Sequence, residues 1–499
     1  MGLLNKKYSS GMKLRILAFF LFSWGTINAQ NQSLSLTDCR NLALEHNRKI
    51  KMATEHELTL GSLRKYTKTK YLPNFSINGG YMRMNREISL LSDDIFLPVV
   101  PGESIVNGSF NQLIFFNNPE LLQETFILNP DGSIAQDANG DPLFQNYAYL
   151  PAEEATIHFE NIFIANIGMT QPVYMGGKIR ELNKMAKYGE DLYSAKKDLT
   201  RSEVILTTDQ KYWQVISLKE KVKLTTKYKS MLESLIEDLE HLHDEGVITK
   251  NEILKAKVKY NEIDLKLLKA SNGLQLAQMA LNQTIGLPLD TIIKLSDTIV
   301  VEGKYRDADE YTKMALNNRP EIDMVNSTVD MAESGEKIMK SRYLPNIGLT
   351  ANYLFTNPNP YNGFEKEFGG DWNVGVFVNI PLYHFGDKKH TLQAMRHEKN
   401  AAEQKYLETK ELIALEVQQA VFKYSESVKR VELTQSSLLQ AEENLKLTQD
   451  NFDEGMLRTT DLLEAQTMWQ QAYSEFIEAK TENKICESEL LKVTGQLQN

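Results

Sequence analysis

VQQAVFKYSESVKRVELTQSSLLQAEENLKLTQDNFDEG, Val417 to Gly455, is the stretch that decides the fold. Val417, Tyr424, Val431, Leu438, Leu445 and Phe452 recur every seven residues, with Val421 and Val428 four residues after two of them. A heptad pattern of that kind belongs to a long helix packed side by side against others. The stretch free of glycine and proline runs further back, to Asp387, whereas an average helix has about a dozen residues. At about 1.5 Å per residue the rod would be on the order of 100 Å long, more than a compact domain needs. It stops at Gly455, and Met456 to Thr494, again without glycine or proline, folds back as a return helix.

The pattern is written twice. Ala43-Leu44-Glu45-His46-Asn47-Arg48 returns as Ala315-Leu316-Asn317-Asn318-Arg319-Pro320, and Tyr71-Leu72-Pro73-Asn74 as Tyr343-Leu344-Pro345-Asn346, both 272 residues later. Pro172-Val173-Tyr174 returns as Pro381-Leu382-Tyr383, Asp244-Glu245-Gly246 as Asp453-Glu454-Gly455, and Gly286 as Gly495, all 209 residues later. Constant spacing over long stretches marks an internal duplication, with an insertion of 63 residues in the first copy between Pro73 and Pro172. The domain division follows: residues 1–29 as an export signal, 30–299 as the first repeat, 300–499 as the second.

Each repeat opens with a helix, Leu36 to Lys70 and Ala308 to Arg342, stopped by a Leu-Pro that favours extended backbone. Alternating segments follow. In the second copy these are Ile347, Leu349, Ala351, Tyr353, Phe355 and then Trp372, Val374, Val376, Val378, Ile380. In the first they are Phe75, Ile77, Gly79, Tyr81 and then Phe163, Ala165, Ile167, Met169. Period-two patterning with polar or small residues between fits strands of about ten residues that face lipid on one side and water on the other. Four strands cannot close a membrane barrel, whose smallest form has about eight, and an open edge in lipid strands backbone groups at several kcal/mol each. The chain must pool strands with copies of itself. Three copies would give twelve strands; two or four also satisfy the arithmetic. After the strands come the long helices, Gly177 to Glu245 and Gly386 to Glu454, a glycine turn and a return helix to Gly286 or Gly495. The inserted stretch, about 82–160, joins two strands and is expected as a surface loop at the outer end of the barrel.

The 499-residue chain is 42% hydrophobic and 24% charged, the composition of an ordered protein. A formal charge of −10 argues against a nucleic-acid partner. Lys6, Lys7, Lys13 and Arg15, then the apolar run Ile16 to Trp24 and a cut after Ala29, make the export signal; the run is too short for a spanning helix. Cys39 and Cys486 are too few for a disulfide framework and form no CxxC; one bridge or two buried thiols both remain open. No HExxH, GxSxG, P-loop or glycine-rich nucleotide fingerprint occurs, so no enzyme and no cofactor are expected. His241 and His243, two apart on a helix, face different ways and do not make a metal pair. Asp137, Asn139 and Asp141 hint at calcium, but Gly140 is misplaced and no Glu closes the loop.

The doubled Ala-Leu-x-x-Asn/Arg opening, the Leu-Pro before each first strand, the Pro-x-Tyr before each long helix and the turn Glu454-Gly455-Met456-Leu457-Arg458-Thr459-Thr460-Asp461-Leu462-Leu463-Glu464-Ala465 resemble the TolC-like outer membrane efflux protein family over essentially the whole mature chain. The resemblance implies a mainly helical TolC-like fold with membrane strands: four strands per protomer in a trimeric 12-stranded outer-membrane barrel, and a twelve-helix tunnel across the periplasm. It implies a homotrimer seated in outer-membrane lipid, with a periplasmic adaptor and an inner-membrane RND or ABC transporter docked at the closed helix tips, in efflux or type I secretion. It also implies that Asp461 and Glu464, three apart on one helix face, narrow the pore mouth as rings of carboxylates; both also suit a helix N-terminus. The first-half counterparts are Glu252 and Lys255, so no second acidic ring is expected, and Thr249 with Glu252 reads as a capping box. Arg458 stands near, not on, a position where the family can place a gate-bridging arginine. Gly246 and Gly455 supply the turns, and Val247, Met456 and Leu457 are candidate adaptor contacts. The rival reading is a non-conducting periplasmic spacer or surface adhesin built on the same rods; the cargo is not legible.

Overall fold

The computed structural model describes residues 33–107, 109–111, 113–301 and 307–497. The export signal read at residues 1–29 lies outside them. Outside the inserted loop the helices are α1 (Leu36–His46), α2 (Arg48–Thr69), α3 (Lys178–Asp244), α4 (Lys250–Ile285), α5 (Ala308–Asn318), α6 (Pro320–Ser341), α7 (Asp387–Asp453) and α8 (Thr459–Val493). The four long strands are β1 (Asn74–Ser89), β2 (Thr156–Met175), β3 (Asn346–Asn357) and β4 (Gly369–Asn379). The chain divides into a helical unit and a β unit, the latter made of residues 70–176 and 343–382.

In the helical unit α3 and α7 are both 67 residues long, about 100 Å of helix each. Gly189 does not interrupt α3; it is buried, and a Cβ there would stand 3.4 Å from Leu60 of α2. Along its first half α3 packs against α2, held by Arg64–Glu190 and Lys197–Glu57 ion pairs of 2.6 Å each, and against α6. Along its second half it packs against α4 and α8. α7 packs against α6 and α8. The heptad residues do what their spacing requires: Val417, Tyr424, Val431 and Leu438 are buried, Val417 and Tyr424 with Leu490 and Leu438 with Trp469 and Ile477.

The duplication persists in the packing. Cys39 meets Ala277 in one core cluster; their counterparts 272 and 209 residues on, Tyr311 and Cys486, meet in another. The two cysteines are therefore in separate clusters, and both are free. Burial, aided by nearby carboxylates, pushes the Cys39 thiol up to about 12 and that of Cys486 up to about 11.

The opening helix of each repeat, expected as one piece, is two. The chain turns extended at Asn47 and at Arg319. Pro320 explains the second break: it disfavours helical backbone at Arg319 and sits well at the first position of α6. Asn47 makes the first with its side chain, which accepts from the Lys49 amide at 2.9 Å and donates to the Thr284 carbonyl at 2.8 Å. The helices that return to these breaks end at Gly286 and Gly495, with φ of +79° and +73°. A Cβ on Gly495 would lie 2.8 Å from the Asn318 Cβ, and one on Gly286 would overlap His46. Alanine at either position is expected to cost more than the ~1 kcal/mol of the left-handed backbone alone, read as a lowered urea midpoint of the helical signal.

In the β unit the sheet order is β4-β3-β2-β1, antiparallel throughout. β1 and β2 have 16 and 20 residues against 12 and 11 for β3 and β4. They are longer than the ten or so expected, because pairing continues past a register shift to Ser89↔Thr156. The inserted loop is thus 90–155 rather than 82–160, and it is built: Ile95–Pro98 pairs with Tyr147–Leu150 over a small core that includes Phe115 and Phe126. The Asp137 carboxylate accepts from the Asn139 and Asp141 amides at 2.8 and 2.9 Å, closing its own turn.

Candidate functional site

Two features carry the chemistry expected of the chain, the helix turns and the sheet. At the first turn the Gly246 amide donates to His243 O and the Val247 amide to Leu242 O, both at 2.9 Å. At the second the Gly455 amide donates to Phe452 O and the Met456 amide to Asn451 O, again at 2.9 Å. Both glycines have positive φ, 78° and 74°, so each turn is a left-handed cap that satisfies the last carbonyls of a 67-residue helix. The residues after the glycines project: Val247 is 66% exposed and Met456 63%. Leu457 is exposed as well. Beneath them Leu462 is fully buried against Leu235, Leu239, Ile253 and Ala256, which welds the two hairpin tips into one cluster.

Asp461 and Glu464 flank that buried leucine. Asp461 is half-buried, and its carboxylate accepts the Arg458 amide at 3.0 Å, so it caps α8; Glu464 is exposed. In the first repeat the capping box expected of Thr249 and Glu252 does not form: Thr249 makes no side-chain cap. Glu252 pairs instead with Lys255 at 2.8 Å, three residues on, where the favourable ion pair outbids the cap. At the matching positions the second tip thus carries two carboxylates, Asp461 and Glu464, where the first carries Glu252 and Lys255. No group of three or more metal-ligating side chains occurs among the described residues.

The sheet has two unlike faces, fixed by register. On one, Ile77, Ile167, Tyr353 and Trp372 form a single row across all four strands, and Phe75, Met169, Ala351 and Val374 form the next. Ile77 is 76% exposed and Trp372 70%. Apolar exposure on this scale is foreign to a water-soluble sheet and fits a lipid face. The opposite face carries asparagine, serine, threonine and glycine at most positions. The outer edges of β1 and β4 have no partner strand among the described residues.

Long helical hairpins in duplicate and a two-faced, four-stranded sheet in one chain make a TolC-like fold. Residues 312–496 match the family model described as outer membrane efflux protein. Over nearly the whole chain the fold matches the Campylobacter jejuni CmeC outer membrane channel, at 15% identity and a TM-score of 0.66, covering 99% of this chain and 94% of that one. It is also similar to the outer membrane protein VceC from Vibrio cholerae (14% identity, TM-score 0.67, 92% and 96% covered). The open state of the Neisseria gonorrhoeae MtrE outer membrane channel matches as well (15%, 0.67, 92% and 88%). No curated protein matches the chain in sequence. The chain therefore has the TolC-like fold of outer membrane channels over nearly its whole length, and its residues 312–496 are similar to outer membrane efflux proteins.

Proposed function

We propose that three copies of this chain form an exit duct: a twelve-stranded barrel in outer-membrane lipid, continued by a helical tunnel in the periplasm. The observation that carries this reading is the sheet. Its apolar face needs lipid, and its two unpaired edges cannot remain open there. The outer helices repeat the argument: α4 leaves Leu254, Val258, Leu265, Leu268 and Leu276 exposed at near-heptad spacing, the pattern that a neighbouring helix covers. Export by residues 1–29, the repeats 30–299 and 300–499, and passive conduction from an adaptor and an RND or ABC pump docked at Gly246, Val247, Gly455, Met456 and Leu457 complete the proposal.

Asp461 and Glu464 are assigned to the inner tip, where threefold symmetry brings six carboxylates together. In planar bilayers the trimer is expected to conduct with a preference for cations. Glu464→Gln is expected to lower the cation-to-anion permeability ratio by about threefold without loss of stability, because the side chain is exposed. Asp461→Ala should lower it too and cost about 1 kcal/mol through the lost cap. Absence of conductance would instead favour the spacer or adhesin.

A further inference from the structure

We infer that the water-facing side of the barrel, over the stretches paired around Gly168, is an amide-lined sleeve with a single carboxylate per chain, so that this section sorts solutes only weakly by charge. The inference rests on the channel reading above and adds what the channel wall does. Ser76, Gly168, Asn352 and Asn373 are register partners in one row across all four strands, on the face opposite Ile77 and Trp372. The Asn352 side-chain Nδ2 donates to Asn373 Oδ1 at 3.1 Å. A Cβ on Gly168 would lie 2.9 Å from Asn352 Oδ1, 3.5 Å from Asn166 Nδ2 and 3.6 Å from Ser76 Oγ. The glycine is thus the gap into which amides from β2 and β3 and a hydroxyl from β1 converge. Three copies would close the row into a ring of amides and hydroxyls.

Charge is nearly absent around it. From Asn74 to Gly80, Ile164 to Thr170, Asn346 to Thr356 and Gly369 to Asn379, the only titratable side chain on this face is Asp371. It stands one row from Asn373, about 7 Å along the strand. That is inside a Debye length of about 8–10 Å, so its three copies impose a mild cation preference on the ring and no more. Primary amides both donate and accept hydrogen bonds, so they wet the wall for neutral, cationic and anionic solutes alike. Channels that sort ions by charge do so with rings of ionised side chains. Here such a ring can come only from beyond these stretches, as from Glu160 in the far part of β2.

Asn373→Cys in the otherwise unaltered chain, assembled in proteoliposomes, tests this. Cys39 and Cys486 are buried and give a quiet background. Cationic and anionic methanethiosulfonate reagents are applied from the outer side, and their rates are corrected by those on a free thiol. Both are expected to react, with a corrected cation-to-anion ratio below about tenfold that falls toward one when Asp371→Asn is added. No reaction with either reagent would overturn the placement of the row against water. A ratio above about tenfold that survives Asp371→Asn would overturn the weak sorting by charge. Failure of the channel reading shows separately, as absence of conductance in the unaltered trimer.

Discussion

Arg319→Ala is expected to destabilise the helical unit by about 3 kcal/mol, the lower end for breaking a buried ion pair. Arg319 is 5% exposed. It donates through Nε to Glu321 at 3.2 Å, through a second nitrogen to the other Glu321 oxygen, and through a third to Glu416 at 2.5 Å. These bonds hold α5, α6 and α7 together at the helix break. Without the guanidinium, Glu321 would remain as a half-buried carboxylate with no cation in hydrogen-bond contact; Glu416, more exposed, would lose less. Burial opposes the charge on Glu321, but the Arg319 bonds outweigh it and hold the carboxyl below its usual range. A depressed carboxyl contributes stability that is complete above its unfolded value, near 4.3, and is lost as pH falls through the folded one. Urea midpoints of wild type and Arg319→Ala should therefore converge on acidification below about pH 4. A constant gap down to pH 2 would show that the ion pair is not what the arginine contributes.

A pair of prolines has the largest expected effect on assembly. Consecutive residues of a strand send their amides to opposite sides, so of Val374 and Gly375 one donates toward β3 and the other toward the open edge of β4. On a true edge strand the outward proline is tolerated. In a closed barrel neither is, since the missing donor leaves an acceptor of the neighbouring copy unpaired in lipid at several kcal/mol. Val374→Pro and Gly375→Pro are each expected to abolish heat-resistant trimers on gels. One trimer-forming variant of the two would mean that the edge stays open.

The rods, the turns and the two faces of the sheet were legible because each rests on a period that neighbours in sequence already display. Trp372 to Ile380 and Val417 to Phe452 need no partner to be read. The break at Pro320 was there to be read from a proline, whereas that at Asn47 depends on a carbonyl 237 residues away, Thr284. Thr249 and Glu252 have the spacing of a cap, yet Lys255 takes the carboxylate, a competition that spacing cannot weigh. The row through Gly168 was out of reach for a different reason. Its members are scattered over the chain, and only strand register aligns them. Within the candidate site, the position of Asp461 in the first turn of α8 follows from Gly455, but its bond to the Arg458 amide is visible only in the structure.

The central claim is that one chain holds too few strands to seal itself and completes its sheet with copies. Native mass spectrometry of the particle extracted from outer membranes measures this directly. The account predicts a complex of three chains, dissociating on denaturation with no stable smaller species. A single chain, folded and soluble without detergent, would contradict it.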